Sequence, residues 1–145
     1  MKITIESPKP GEEEEIILRL SSIDEKVLKV IQSLKTEKDT LTGYVEDRIQ
    51  KLLIMDIFYF EAVDNKVYAY TAKQVFEVHK KLYEIEEEYA ETDFLRISKA
   101  VVVNISKITY IRPMLNGKFE GKLKNDEKIV ISRQYVPALK EKLDI

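Results

Sequence analysis

The sequence predicts a mainly β protein with a few small helices, α+β overall, and three observations indicate this fold class. Short runs rich in Val, Ile, Phe and Tyr alternate with polar residues, as in half-buried strands. Asp64-Asn65, Asn116-Gly117 and Asn125-Asp126 interrupt these runs, and such pairs favour turns between antiparallel strands. With 145 residues and 44% hydrophobic content, the chain is long enough to bury a core.

The first elements are two short strands. Residues 2–6 alternate polar and apolar side chains, and residues 16–20 form a second strand-like run. Pro8 and Pro10 lie between them and predict a break in the chain.

An amphipathic helix is predicted over residues 23–35, since its apolar side chains recur at steps of three and four. Ser22 and Glu25 have the spacing of a capping box at its start. The polar segment 36–40 predicts a linker, so we expect a strand-strand-helix extension over residues 1–40 and a second domain over 41–145.

The second domain begins with residue patterns typical of β-strands. Residues 44–54 alternate, and the aromatic-rich runs 57–60 and 67–71 flank Asp64-Asn65, which predicts a hairpin. Helical spacing is followed by Val75, Val78, Leu82, Ile85 and Tyr89, which predicts a second amphipathic helix between Lys73 and Ala90. His79 would lie in the middle of this helix, at the edge of the apolar stripe, where we expect a structural role and not metal binding.

The C-terminal third predicts three more strands and a closing helix. Residues 107–112 and 118–123 flank Asn116-Gly117, and residues 128–131 follow a second polar turn. A short helix is predicted within residues 132–143, where Ser132 is a candidate cap and Pro137 falls in the first turn.

The charge of the chain is divided between two poles. Residues 94–145 contain 11 Lys and Arg against 5 Asp and Glu, a net charge of +6, although the whole chain carries −2. Within this part, residues 94–110 interleave cations and amides with apolar side chains. A local positive field attracts phosphates even on an acidic protein, so this segment predicts a nucleic-acid surface. On charge alone, an ordinary solvated surface with an accidental asymmetry is an equal alternative.

Catalysis, metal binding and cofactor binding have little support in the sequence. The chain has one histidine, no cysteine and four glycines, and it contains no phosphate-binding glycine motif. The acidic run from Glu84 to Glu88 reads as a solvated helix face. These observations lead us to expect no enzymatic activity, metal or cofactor. No apolar run has the length of a membrane span or signal peptide, and the chain has no cysteine, so we expect a cytoplasmic protein.

Three segments in order resemble the LytTR-type DNA-binding domain: Asp56 to Glu61, Phe94 to Asn104 with Ile105 and Ile108, and Ile131 to Val136. The resemblance covers residues 52–143. It implies an elongated, multi-sheet β fold with small helices, in which loops between strands enter the major grooves of duplex DNA. Ser98, Ala100 and Gln134 depart from residues common in the family.

The resemblance also implies the contact residues. Base contacts are expected from Asn65, Asn104 and Gln134, because an amide can donate and accept at adenine. Phosphate contacts are expected from Arg96, Lys99 and Lys107. The full expected set is Asn65, Lys66, Arg96, Ser98, Lys99, Asn104, Lys107, Arg133 and Gln134. Asn65 could serve only its turn, and Asn104 could only satisfy backbone groups.

We therefore expect a bacterial transcriptional regulator that binds specific duplex DNA and has no receiver domain, since about 40 residues are too few for one. A second copy is the other expected partner, through the N-terminal extension; no membrane or small-molecule substrate is expected. A β-rich protein-interaction module is one alternative. The other is single-stranded nucleic-acid binding, with Tyr59, Tyr68, Tyr70 and Tyr110 as stacking platforms.

Overall fold

A computed structural model describes residues 2–35 and 40–145 of the protein. The chain divides into two units, Met1–Thr36 and Glu37–Ile145. The predicted linker lies outside the described residues except for Thr40.

The first unit contains one helix, α1, over Glu25–Lys35. Asp24 caps this helix, because its side chain accepts from the Val27 N–H at 2.9 Å and its carbonyl accepts from the Leu28 N–H. The predicted helix is confirmed with a later start. The expected capping box at Ser22 and Glu25 is wrong, since the capping residue is Asp24.

The strands predicted at residues 2–6 and 16–20 do not form in the described first unit. A strand is stable only when its backbone groups pair with a neighbour, and a lone two-stranded hairpin is marginal in water. The only regular feature between the two segments is a turn in which the Glu12 N–H donates to the Lys9 carbonyl. Ile3, Ile5, Ile16 and Ile17 are consequently exposed.

The second unit begins with seven strands in one antiparallel sheet. They are β1 (Thr40–Val45), β2 (Arg48–Leu53), β3 (Ile57–Val63), β4 (Lys66–Thr71), β5 (Val75–Val78), β6 (Phe94–Arg96) and β7 (Val101–Asn104), in the order β2-β1-β5-β4-β3-β7-β6. The helix α2 (Leu82–Glu88) packs on β3, β6 and β7.

A second antiparallel sheet has the order β10-β9-β8, formed by β8 (Ile108–Pro113), β9 (Phe119–Leu123) and β10 (Lys128–Ile131). The helix α3 (Val136–Leu143) follows, with Pro137 in its first turn as predicted. The mainly β fold class is therefore confirmed, as are the last three strands and the closing helix. The Asn116-Gly117 hairpin has a five-residue loop, 114–118, because Pro113 pairs with Phe119.

Two hydrophobic clusters hold the second unit together, and β7 contributes to both. Val102 joins the cluster with Phe60 and Ile85, whereas Val103 joins the cluster with Ile131 and Leu139. Successive residues of a strand point to opposite sides, so β7 is buried on both faces. This explains the uninterrupted apolar run at residues 101–103.

The helix predicted between Lys73 and Ala90 is wrong over its first half. Residues 75–78 form β5, which pairs with β4 and meets β1 at Tyr44 and Glu77. Phe76 and Val78 are buried while Val75 is exposed, which is strand alternation. Pairing on both sides satisfies backbone groups and outweighs the helical spacing. The helix remains only as α2.

The placement of His79 also needs correction. His79 lies outside any helix, just after β5, where its ring stacks on Tyr44 with centroids 3.7 Å apart. Tyr110, in β8, is 43% exposed. No helix among the described residues is long and apolar enough to cross a membrane.

Candidate nucleic-acid interface

The turn between β3 and β4 presents the first predicted contact residues. Asp64 and Asn65 have φ angles of 50° and 64°, as a two-residue type I′ turn requires. Val63 pairs with Lys66 across this turn, so the predicted hairpin is confirmed. Asn65 and Lys66 are both exposed.

The loop 97–100, between β6 and β7, lies beside the end of β3. The Ala62 N–H donates to the Ala100 carbonyl at 2.8 Å, which places this loop at the same end of the sheet as the β3–β4 turn. Ile97 is buried, whereas Lys99 is exposed. Ser98 is half-buried.

The turn 132–135, between β10 and α3, joins the same region. The Ser132 N–H donates to the Ile97 carbonyl at 2.9 Å, and Arg133 and Gln134 are exposed. Residues 98–100 and 132–135 together line an open groove of about 500 Å³. The structure therefore brings Ser98, Lys99, Arg133 and Gln134 to one groove.

A fourth connection, the loop 114–118, was missed as a contact region by sequence reasoning. A Cβ atom on Gly117 would lie 2.9 Å from Cδ of Arg133, so this loop touches the groove at Arg133. Asn116 and Lys118 are exposed beside it. The signal in the sequence was an amide and a cation flanking a turn glycine, the same chemistry as at Asn65 and Lys66.

These four connections are called the loop end: residues 64–65, 97–100, 114–118 and 132–135, with Lys66 at its edge. Strand direction explains their meeting, since β3 ends where the antiparallel β7 begins. In the second sheet, Pro113, Phe119 and Ile131 are aligned at the same end. The opposite end carries Asn104 at the close of β7.

Asn104 is 2% exposed, and both the nitrogen and the oxygen of its carboxamide form hydrogen bonds inside the protein. Nδ2 donates to the Ile57 carbonyl at 3.0 Å, and Oδ1 accepts from the Ser106 N–H and hydroxyl at 3.1 and 2.7 Å. The same amide cannot read a base without breaking these bonds. The geometry thus supports the structural alternative for Asn104, and its expected contact with a base stays a prediction.

Arg96 and Lys107 also differ from freely exposed phosphate ligands. The Arg96 guanidinium donates to the Ser98 and Lys99 carbonyls and lies 3.5 Å from a Glu86 carboxylate oxygen. Lys107 is half-buried at the far end of β7, with Nζ 5.2 Å from the centroid of the Phe58 ring. Both side chains have partners within the protein that account for their positions.

Two of the four tyrosines considered as stacking platforms, Tyr59 and Tyr70, stack on each other. Tyr59 and Tyr70 stack with ring centroids 4.3 Å apart, and their hydroxyls donate to Glu127 and Glu61. Burial, followed by the hydrogen bond to Glu61, raises the pKa of Tyr70 to about 12. Two rings that cover each other offer little open face to a nucleobase.

Two acidic side chains of α2 form ion pairs with cationic side chains. Glu88 pairs with Lys80 and Glu86 with Arg96, whereas Glu84 and Glu87 are exposed, so only part of the acidic run forms a solvated helix face. Among the described residues, no group of three or more His, Cys, Asp or Glu side chains is placed to hold a metal ion.

Comparisons with known proteins agree on one family. The family model for the LytTr DNA-binding domain matches residues 47–144. The structure of a LytTr DNA-binding domain from Bacillus cereus, from a protein described as a methyl-accepting/DNA response regulator, superposes with a TM-score of 0.71 at 23% identity. The match covers 74% of this chain and 99% of that domain, which shows that the two share a fold.

Two curated relatives are similar in sequence. Sensory transduction protein LytT of Bacillus cereus is 29% identical over 145 residues, which cover 94% of this chain and 59% of that protein. An uncharacterised HTH-type transcriptional regulator of Staphylococcus aureus is 33% identical over 106 residues, covering 73% of this chain and 71% of that protein. The chain thus spans about three fifths of the length of LytT.

Proposed function

The chain belongs to the LytTr DNA-binding domain family, and from this premise we propose that it is a bacterial, cytoplasmic, non-enzymatic transcriptional regulator that reads duplex DNA through its loop end. The observation that carries the proposal is the meeting of four chain connections at one end of two sheets. Each brings a cation: Lys66, Lys99, Lys118 and Arg133. Loops of this kind can follow a phosphate backbone without a recognition helix.

Affinity arises from the exposed cations. Lys66, Lys99, Lys118 and Arg133 extend from separate connections, so they can neutralise several phosphates at once. Each neutralised phosphate releases counterions, which makes binding weaken steeply with salt. These contacts fix the position of the protein on the duplex without selecting a sequence.

Sequence preference arises from the amides among these cations. Gln134 borders the groove, and Asn65 and Asn116 lie at the tips of their turns. A carboxamide donates and accepts together, which matches the N6/N7 edge of adenine in the major groove. Asn104 is left out of this set, because its amide already holds Ile57 and Ser106.

Selection of bound sequences from a random duplex library tests the proposal. We expect a defined motif for the native chain, and we expect Gln134→Arg to change the preferred base at one position, because Arg favours guanine. Gln134→Ala is the matched control and should relax that position without moving the rest of the motif. Recovery of unrelated sequences by the native chain would contradict the proposal.

We further propose that the first unit joins two copies into a homodimer. Ile3, Ile5, Ile16 and Ile17 are 64–92% exposed, and the helix α1 also exposes Leu28 and Leu34. About 36 residues are too few to bury these side chains alone, whereas two copies could pair their strand-like segments. A dimer would suit two half-sites spaced by about one helical turn.

Sedimentation of the full chain tests self-association. Ile5→Lys and Ile17→Lys should shift a dimer toward monomer, because each places a charge in the proposed interface. Lys9→Ala, at the turn between the two segments, is the control and should leave the dimer intact. If the native chain sediments as a monomer at all concentrations, the dimer proposal is contradicted. The proposal of DNA binding would not be affected by that result.

A further inference from the structure

Arg96 ends β6 with its guanidinium turned back over the loop 97–100. Nε donates to the Ser98 carbonyl at 2.7 Å, and Nη2 donates to the Lys99 carbonyl. The side chain is 20% exposed, and Nη1 lies 3.5 Å from Glu86 Oε2 on α2. The cation is thus held between the helix and the loop.

Backbone hydrogen bonds to other segments anchor the loop at its two ends, whereas its middle is held by a side chain. The Ile97 carbonyl accepts from the Ser132 N–H, and the Ala100 carbonyl accepts from the Ala62 N–H. The two carbonyls between them belong to Ser98 and Lys99, and these are the ones that Arg96 holds. One side chain therefore holds both carbonyls in the middle of the loop.

We propose that Arg96 is a positioning residue for DNA binding: it clamps the loop 97–100 so that Lys99 is presented to phosphate across the groove from Arg133. This inference rests on the proposed function. It also replaces the expectation that Arg96 itself contacts phosphate. The cation available to phosphate is that of Lys99. Its side chain is exposed, while its backbone carbonyl accepts from Arg96.

Arginine suits this role better than lysine does. Its planar guanidinium carries donors in fixed directions, so it can hold two neighbouring carbonyls at once. A lysine ammonium carries the same charge on a flexible stem and lacks that geometry. Arg96→Lys therefore separates the two roles, because it keeps the charge and removes the clamp.

Electrostatics argue against a direct phosphate contact. The Glu86 carboxylate lies close to the guanidinium and offsets part of its charge. A phosphate would also have to draw the guanidinium away from two carbonyls that are then left without this partner. Lys99 faces neither cost.

Hydrogen exchange of the free protein tests the clamp without DNA. We expect Arg96→Lys and Arg96→Gln to speed exchange at the Ala62, Ile97 and Ser132 amides, whose hydrogen bonds anchor the loop and its surroundings. Lys99→Ala is the control and should leave these amides protected. Unchanged protection in both Arg96 variants would overturn the proposal, whether or not the protein binds DNA.

A double-mutant cycle then tests the effect on DNA, with a duplex selected by the native chain. If Arg96 acts through Lys99, Arg96→Lys weakens binding by about fivefold or more, and the same change costs less in a Lys99→Ala background. If Arg96 contacts phosphate, Arg96→Lys keeps most of the affinity and the losses from Arg96→Gln and Lys99→Ala multiply. That second pattern would contradict the clamp, and thermal unfolding of each variant confirms that it is folded.

The two experiments separate the clamp from the proposed function. Loss of protection in the Arg96 variants together with a native chain that selects no duplex would retain the clamp and reject DNA binding through the loop end. A selected duplex with the multiplicative pattern would retain DNA binding and reject the clamp.

Discussion

Asn104 and Ile57 are joined by a side-chain hydrogen bond that extends the pairing of β3 and β7, with Asn104 Nδ2 3.0 Å from the Ile57 carbonyl oxygen. Backbone pairing between these strands covers Tyr59 to Glu61, so Ile57 lies beyond it. The amide also ties β7 to Ser106 in the turn that leads to the second sheet. Asn104 therefore joins β3 and β7 of the first sheet to the turn that leads into β8.

Asn104→Ala should lower the free energy of unfolding by about 2 kcal/mol or more, because the Ile57 carbonyl and the Ser106 N–H lose their buried partner. Chemical denaturation measures this loss. The base preference of the folded variant should be unchanged. Gln134→Ala is the opposite control, with a stability change within about 0.5 kcal/mol at an exposed position. A stable Asn104→Ala that has lost its base preference would restore Asn104 as a reader of DNA.

Lys99→Ala should weaken DNA binding across all sequences and reduce the slope of log affinity against log salt by about 1, because one phosphate contact is removed. Lys128→Ala is the matched control. Lys128 is also exposed, but it begins β10, at the end of the second sheet opposite Ile131. Equal slopes for the two variants would place the phosphate contacts elsewhere.

Gly117→Ala should weaken both folding and DNA binding. Gly117 has a φ of +74°, and the added Cβ would meet Arg133 Cδ at 2.9 Å. We expect a stability loss of about 1 kcal/mol from the backbone alone, and a lower affinity because Arg133 must move. In an Arg133→Ala background the stability loss should remain while the effect on affinity becomes smaller, because only the displacement of Asn116 and Lys118 is then left. An undiminished affinity loss there would show that Gly117 does not act through Arg133.

The unfolding free energy should fall as pH rises from about 10 to 12. Burial and the hydrogen bond to Glu61 raise the pKa of Tyr70 to about 12, and burial raises that of Tyr89 to about 12; an unfolded tyrosine titrates near pH 10. The fold favours the neutral phenol, so this stability is complete below pH 10 and is lost through the folded pKa.

Tyr70→Phe tests this alkaline loss, since it keeps the ring on Tyr59 and removes the ionising hydroxyl. The fall in stability should then be shallower, and absorbance should show one fewer tyrosine titrating at high pH. If the free energy of unfolding fell equally steeply in Tyr70→Phe, groups other than Tyr70 would cause the loss of stability at high pH.

The sequence predicted those elements whose signal is local. Asp64 and Asn65 adopt positive φ angles that few residues tolerate, so their turn could be read without tertiary information. The strand at Val75–Val78 could not be predicted in this way. It depends on pairing with β4 across a turn and with β1, which is distant in sequence. Phe76 was the overlooked signal, since it lies off the helical stripe and is buried.

The candidate site was predicted in part for a similar reason. Lys99, Arg133 and Gln134 follow or precede strands in turns, where exposure is expected, and the structure brings them to one groove. Asn104 has the same chemistry but ends a strand between two packed layers, and only the packing decides that it faces inward. The contact of Gly117 with Arg133 joins residues of different connections and has no local signal.

Fluorescence anisotropy across a salt series tests the central claim most directly, with the native chain, a duplex carrying the selected motif and a scrambled duplex of the same composition. The account predicts tighter binding to the motif at every salt concentration and a steep loss of affinity with salt for both duplexes. Equal affinity for the two duplexes, or no binding to either at low salt, would contradict sequence-specific recognition through the loop end.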